Sequence, residues 1–176
     1  MRRYFLGKPP WEDNEEEKDV GEYDVMQVCL NGHKITGILK SAPEFGKKYC
    51  SDCGAAAISQ CPKCETEIRG INRTTFSLHD VKVPAFCHEC GKPYPWTEAR
   101  LKAAQELAEE TEGLDDEERQ MLKASLDDLV RDTPSTPLAA TRFKRLATKA
   151  GKGAADAFKE ILIGVLSEAA RKVIWP

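Results

Sequence analysis

Cys29-Leu30-Asn31-Gly32-His33, Cys50-Ser51-Asp52-Cys53-Gly54, Cys61-Pro62-Lys63-Cys64 and Cys87-His88-Glu89-Cys90-Gly91 are the four segments whose reading decides this fold. All seven cysteines of the 176-residue chain lie between positions 29 and 90. Six form C-x2-C pairs, and Cys29 pairs with His33 at C-x3-H spacing. Thiolates and imidazoles at this spacing sit on tight knuckles, and two knuckles close a tetrahedron around one metal ion. Eight donors therefore predict two zinc ions, one held by three cysteines and a histidine, the other by four cysteines. Four protein ligands leave no position for water or substrate, so both sites read as structural rather than catalytic.

Two pairings of the knuckles are possible. Sequential pairing gives tandem zinc ribbons, Cys29/His33/Cys50/Cys53 and Cys61/Cys64/Cys87/Cys90. Cross-brace pairing, as in RING-type domains, would join the first knuckle with the third and the second with the fourth. The seven residues from Gly54 to Gln60 can hold a strand, whereas RING-type domains have a much shorter link there, so sequential pairing is expected. Glycines after Cys53 and Cys90 suit ribbon turns whose backbone N–H groups face sulfur. Iron, as in rubredoxin-like proteins, is the rival metal for the second site. It fits less well because Glu65 stands where those proteins carry a glycine and because the partner site contains a histidine.

Outward from the knuckles the pattern implies an α+β protein: two tandem zinc ribbons made of short β-hairpins, followed by a four-helix C-terminal region. Apolar stretches at Tyr23–Val28, Lys34–Leu39, Ala55–Ser59 and Thr66–Ile68 are short and separated by Gly and Pro. Hairpins of this size bury too little surface to fold alone. Zinc supplies what the core lacks, typically about 10–16 kcal/mol of binding energy that is also folding energy. The expected divisions are an acidic flexible tail over 1–22, ribbons over 23–59 and 60–96, and a helical domain over 97–176.

Within the helical part, Leu101, Ala104, Leu107 and Ala108 mark a first helix, with Thr97 as its cap and Gly113 as its end. Asp115 and Glu118 form a capping-box pattern ahead of a second helix striped by Leu122, Leu126, Leu129 and Val130. Thr136-Pro137 reads as an N-cap and first-turn proline for a third helix, which Gly151 stops. A fourth helix is expected from about Ala154 to Ile174. Its apolar arc (Phe158, Ile161, Leu162, Val165, Leu166, Ala169, Val173) is wide enough to be the centre of the bundle, an oligomer or partner interface, or an interfacial membrane helix.

The formal net charge is -3 with 31% charged residues. No apolar run approaches the roughly 18 residues that span a membrane. The N-terminus begins with Arg2-Arg3 like a signal peptide, but its apolar stretch is three residues long before Lys8-Pro9-Pro10, so a cytoplasmic protein is expected. Charge is uneven. Residues 96–132 carry 5 basic and 12 acidic side chains, whereas residues 133–153 carry 5 basic and none acidic.

The motif set Cys29-Leu30-Asn31-Gly32-His33, Tyr49-Cys50 through Gly54, Cys61-Pro62-Lys63-Cys64 with Ile68-Arg69-Gly70, and Phe86-Cys87 through Gly91 with Pro93-Tyr94-Pro95-Trp96-Thr97 resembles a bacterial family of double zinc ribbons. The likeness is close over about residues 25–100 and looser over the helical tail, and all eight ligand positions match. It implies zinc and a bacterial cytoplasmic setting, and nothing about a substrate.

No Ser/His/Asp set, phosphate-binding glycine loop or paired-carboxylate site stands out, so an enzyme is not expected. The leading expectation is a protein-interaction or adaptor module with structural zinc, engaging a protein partner or forming a homo-oligomer. Tyr94, Trp96, Phe158, Ile161, Leu162 and Val165 are its candidate contact residues. For Tyr94 and Trp96 the competing reading is packing of the last ribbon onto the first helix. A nucleic-acid-binding ribbon protein is the alternative, using Arg142, Lys144, Arg145 and Lys149 on the third helix with Lys47, Lys48 and Arg73 from the ribbon loops. That basic helix would equally suit the acidic second helix. Zinc with seven thiolates cancels the modest positive charge of residues 29–96, so the ribbons add little attraction. A third reading is an accessory subunit of an enzyme complex. His79 and His88 read as surface histidines.

Overall fold

Strands of two to four residues cannot carry a sheet, and the chain arranges them in two small ones. A computed structural model describes residues 23–74 and 81–175. Strand β1 (Tyr23–Val25) pairs antiparallel with β5 (Arg69–Asn72). Strand β2 (Gln27–Cys29) lies between β3 (Lys34–Thr36) and β4 (Ala57–Ile58). The expected run Tyr23–Val28 is thus split at Met26, whose N–H donates to Ile68 O at 2.7 Å, and its two halves serve different sheets. Thr66–Ile68 is not the paired strand. It closes the second ribbon through the Gln60–Glu67 bridge, and the next four residues pair with β1. This pairing crosses the division expected between 59 and 60. It also requires Gly70, because a Cβ there would stand 2.2 Å from the Gly37 carbonyl oxygen.

Asp24 locks that sheet. Its buried carboxylate accepts from the Lys40 N–H at 2.8 Å, the Ser41 N–H at 3.2 Å and the Ser41 hydroxyl, and pairs with the Arg73 guanidinium at 3.0 Å. Burial alone would raise its pKa, but these donors outweigh burial and hold it below the usual carboxylate range.

Five helices follow, α1 (Pro95–Glu110), α2 (Asp116–Val130), α3 (Thr136–Lys149), α4 (Lys152–Leu162) and α5 (Glu168–Ile174). Helix α1 starts earlier than its sequence signal, with Tyr94 at the N-cap and Pro95 in the first turn. Thr97 does not cap it but donates its hydroxyl to Ala85 O at 2.8 Å, which fastens the helix to the second ribbon. The Asp115/Glu118 capping box of α2 forms as expected. Ser135 rather than Thr136 occupies the N-cap position of α3. The buried Thr136 hydroxyl instead accepts from Thr133 N–H and donates to Arg131 O at 2.7 Å, closing the α2–α3 turn.

The expected fourth helix is two helices, which corrects the four-helix region to five. Ser167 caps α5 by accepting from Ala170 N–H, and its own N–H donates to Leu129 O on α2. A continuous helix would forgo both bonds. The break turns Val165 and Leu166 inward as a buried corner, so the wide arc is shared between two helices and a turn. Helix α3 packs against α2, α4 and α5, and Phe143 meets Phe158 edge to face at 5.4 Å. One apolar core runs from Met26 and Ile68 through Tyr94 and Trp96 to Ile174.

Replacing Asp24 with Ala leaves the half-buried Arg73 and several N–H donors without their acceptor. We expect denaturant unfolding of the metal-loaded variant to show a loss of about 3 kcal/mol. A loss under about 1 kcal/mol would show that water replaces the carboxylate.

Candidate metal centres

Each donor reaches its centre from a backbone turn, and the turns share one design. Gly54 N–H donates to Cys50 O, Glu65 N–H to Cys61 O and Gly91 N–H to Cys87 O, all at 2.8–3.0 Å. The three turn residues have φ of +70°, +62° and +67°. Glu65 is the described non-glycine residue in this region, so it forms the same knuckle as the two glycines at a steric cost of about 1–2 kcal/mol. Its departure from glycine leaves the site geometry unchanged. Gly32, in the first knuckle, has φ +89° and faces Trp96, whose Cβ would lie 3.0 Å from any side chain placed there.

The donors converge in two groups, Cys29/His33/Cys50/Cys53 and Cys61/Cys64/Cys87/Cys90, with all ligand atoms of a group within 4.8 Å of one another. This is sequential pairing, and the cross-brace arrangement is excluded. In the first group Cys29 Sγ and Cys53 Sγ are 3.7 Å apart, and Cys50 Sγ is 3.6 Å from His33 Nδ1. In the second, Cys61 Sγ to Cys90 Sγ is 3.9 Å and Cys64 Sγ to Cys87 Sγ is 3.6 Å. A regular tetrahedron with metal–sulfur bonds of about 2.3 Å has edges of about 3.8 Å. The spacings therefore fit a four-coordinate ion, and they far exceed an S–S bond of about 2.05 Å. Either group could hold a metal ion, with His33 ligating through Nδ1.

Polar neighbours tune the sulfurs. Cys53 is drawn down to about 6, first by the Ala55 N–H and also by the Asn31 side-chain amide, 3.4 Å away. Cys64 is drawn down to about 6 by the Thr66 hydroxyl, at 3.5 Å, and by the Thr66 N–H. Cys90 receives the Lys92 N–H, yet burial and the Cys64, Cys87 and Cys61 sulfurs push it up to about 11. Four thiols this close cannot all ionise without a cation between them. Burial, then the neighbouring Cys87, keeps the Tyr94 phenol protonated far into alkali, where it serves the second centre as a hydrogen-bond partner of Cys87.

The other singled-out residues are dispersed. Tyr94 and Trp96 are buried and stacked, ring centroids 4.6 Å apart, and Trp96 Nε1 donates to Pro84 O at 2.9 Å. They join the second ribbon to α1. Phe158, Leu162 and Val165 are buried in the bundle and Ile161 is half-buried, so this set presents no shared contact surface. On α3, Lys149 pairs with Glu118 of α2 at 2.5 Å and Lys144 donates to Val173 O at 3.0 Å. Arg145 lies against the Met121 sulfur at 3.8 Å, and Arg142 is exposed. The basic helix is thus largely turned onto its own bundle. Arg73 is committed to Asp24. His88 is exposed, and His79 lies outside the described residues. Sequence reasoning missed Asn31, Thr66 and Asp24. An Asn inside a knuckle, a Thr two residues beyond a ligand and a lone Asp within an apolar run were the available signals.

Two closed four-donor centres of ribbon type, carried on small antiparallel sheets and joined to a five-helix bundle, define the class of protein. The chain belongs to the family described as "Uncharacterized protein conserved in bacteria (DUF2321)", which it matches over residues 22–174, a span that includes both centres and all five helices. No curated protein and no solved structure matches the chain.

Cys61→Ser should release about one metal equivalent and leave the Cys29/His33/Cys50/Cys53 centre loaded. Loss of both equivalents would show that the second centre holds the first together. Because Cys90 keeps its proton until a cation displaces it, acidification must weaken binding and alkali strengthen it. Competition with a chromophoric chelator should show affinity at the second centre rising at least about tenfold per pH unit between about pH 7 and 8. A flat profile would mean that the thiols are already ionised in the metal-free chain.

Proposed function

We propose that this is a non-enzymatic zinc protein of the bacterial cytoplasm that presents a rigid surface to a macromolecular partner. The observation that carries this reading is the closure of both centres. Each offers four protein donors at tetrahedral spacing, and among the described residues no fifth His, Cys, Asp or Glu joins either group. Soft sulfur with one imidazole suits zinc, which has no redox chemistry and accepts a tetrahedron without strain. The remaining relief agrees with a binding role. A groove of about 530 Å³ lies between residues 82–86, the end of α2 and the α4–α5 turn. Its cations are engaged, Lys82 with Leu166 O at 3.3 Å and Arg131 over the Phe86 ring at 4.9 Å. Neither Cys nor His lines it. No helix of the described residues is long and apolar enough to cross a membrane.

Elemental analysis of protein purified from zinc-sufficient medium should find two zinc ions per chain, and X-ray absorption should find sulfur-dominated shells with one nitrogen averaged in. A coloured, iron-containing second centre would overturn the structural reading in favour of electron transfer. Chelation should remove both sheets and also loosen the start of α1, because Trp96 and Thr97 are held by Pro84 and Ala85 between the ligands of the last knuckle and the third. Helical circular dichroism should fall by less than half, since α2 and α5 each keep their packing on α3.

A further inference from the structure

The first ribbon carries two aromatic side chains that its own core does not use. Tyr49 is 65% exposed and Phe45 is 54% exposed. Both line one cleft of about 280 Å³, together with Lys47, Ser51 and Asp52. Single exposed aromatics need no explanation. Two on one cleft, each on an immobilised backbone, are different. Phe45 ends the 3-10 turn Pro43–Phe45, closed by Gly46 N–H on Pro43 O at 3.0 Å. Tyr49 bridges Ala56, and the next residue is the ligand Cys50, whose N–H donates to Ala55 O at 2.9 Å. The Gln27 side chain accepts from Lys47 N–H at 2.8 Å and holds the segment between them.

Lysines outnumber carboxylates beside these rings: Lys34 and Lys47 line the cleft and Lys48 adjoins it, against Asp52 and the neighbouring Glu44. Lys47 and Lys48 are exposed, and neither ammonium forms an ion pair or hydrogen bond with any described residue. Several other lysines are engaged. Lys149 pairs with Glu118, Lys123 with Glu109, Lys172 with Glu168 and Lys40 with Glu67. The carboxylate at the cleft, Asp52, already accepts from the Ser51 hydroxyl at 3.3 Å.

We infer that this face of the first ribbon binds single-stranded nucleic acid, with bases stacked on Tyr49 and Phe45 and phosphates paired to Lys47 and Lys48. Stacking platforms beside lysines are what a single strand requires, because every base has a π-face and every linkage a negative charge. An acidic protein would use the lysines but has no need of two open rings. No α3 residue lines the cleft, and Lys144 and Lys149 of that helix serve the bundle. It names the partner class for the proposed function and rests on that reading, since the first metal centre fixes Tyr49 through Cys50.

The test is fluorescence anisotropy of the full chain, loaded with zinc, against labelled oligo-dT and oligo-U of about a dozen nucleotides, across a salt series. Tyr49→Ala and Phe45→Ala should each weaken binding about tenfold. Lys47→Gln with Lys48→Gln should reduce the slope of log affinity against log salt by about 1.4. All variants must keep the metal content of the native chain, which separates a lost surface from a lost fold. Absence of binding at the lowest salt, or ring variants that bind like the native chain, would overturn the inference. So would displacement of the oligonucleotide by polyglutamate at equal charge, which would point to an acidic protein. A chain with two zinc ions and no oligonucleotide binding refutes only this inference, whereas a chain without zinc refutes the functional reading beneath it.

Discussion

Four sulfur or nitrogen donors held within 4.8 Å of one another, twice over, are the constraint on which the rest of this structure depends. Such a cluster is repulsive without a cation and strongly cohesive with one, so a bound metal ion would make the loaded state also the folded state of the ribbons. The strands around the centres are too short to supply cohesion of their own. What they contribute is direction. Cys29 ends β2, the turn before β3 brings His33 back beside it, and the second knuckle meets them through the bridge between Tyr49 and Ala56. Polar groups just outside the donors complete the centres, with Asn31 on Cys53, Thr66 on Cys64 and Tyr94 beside Cys87.

That cohesion is passed to the helices through two aromatic residues. Tyr94 and Trp96 stack on each other and fill the space between the second ribbon and α1, while Gly32 in the first knuckle makes room for Trp96. The ribbons and the bundle consequently share one apolar core rather than meeting at a linker. Within the bundle, the buried corner at Val165–Leu166 lets α4 and α5 both pack on α3, where a single straight helix would cover only one side of it.

Charge follows the same division of labour. Glu118 serves the α2 capping box and also receives Lys149 from α3, so the sharp sequence contrast between an acidic and a basic helix is partly satisfied inside the molecule. Lys144 meets the carbonyl end of α5, where a cation is favoured by the helix dipole. Lys47 and Lys48 on the first ribbon lie next to two exposed rings.

Sequence alone determined the cysteine-rich half of this protein. Which donors cluster, the number of clusters and their sequential pairing were legible because C-x2-C and C-x3-H knuckles are local geometry, and a seven-residue gap leaves little choice of partner. The α2 capping box was legible for the same reason, since Asp115 and Glu118 satisfy each other within one turn. Only the tertiary structure decided the rest. The split at Met26, the β1–β5 pairing across the ribbons, and the break between α4 and α5 all depend on hydrogen bonds to residues far away in the chain: Ile68, Gly37 and Leu129. The fate of the basic helix was equally hidden, because a lysine's spacing along a helix says which face it occupies but not whether a carboxylate from another helix is waiting there.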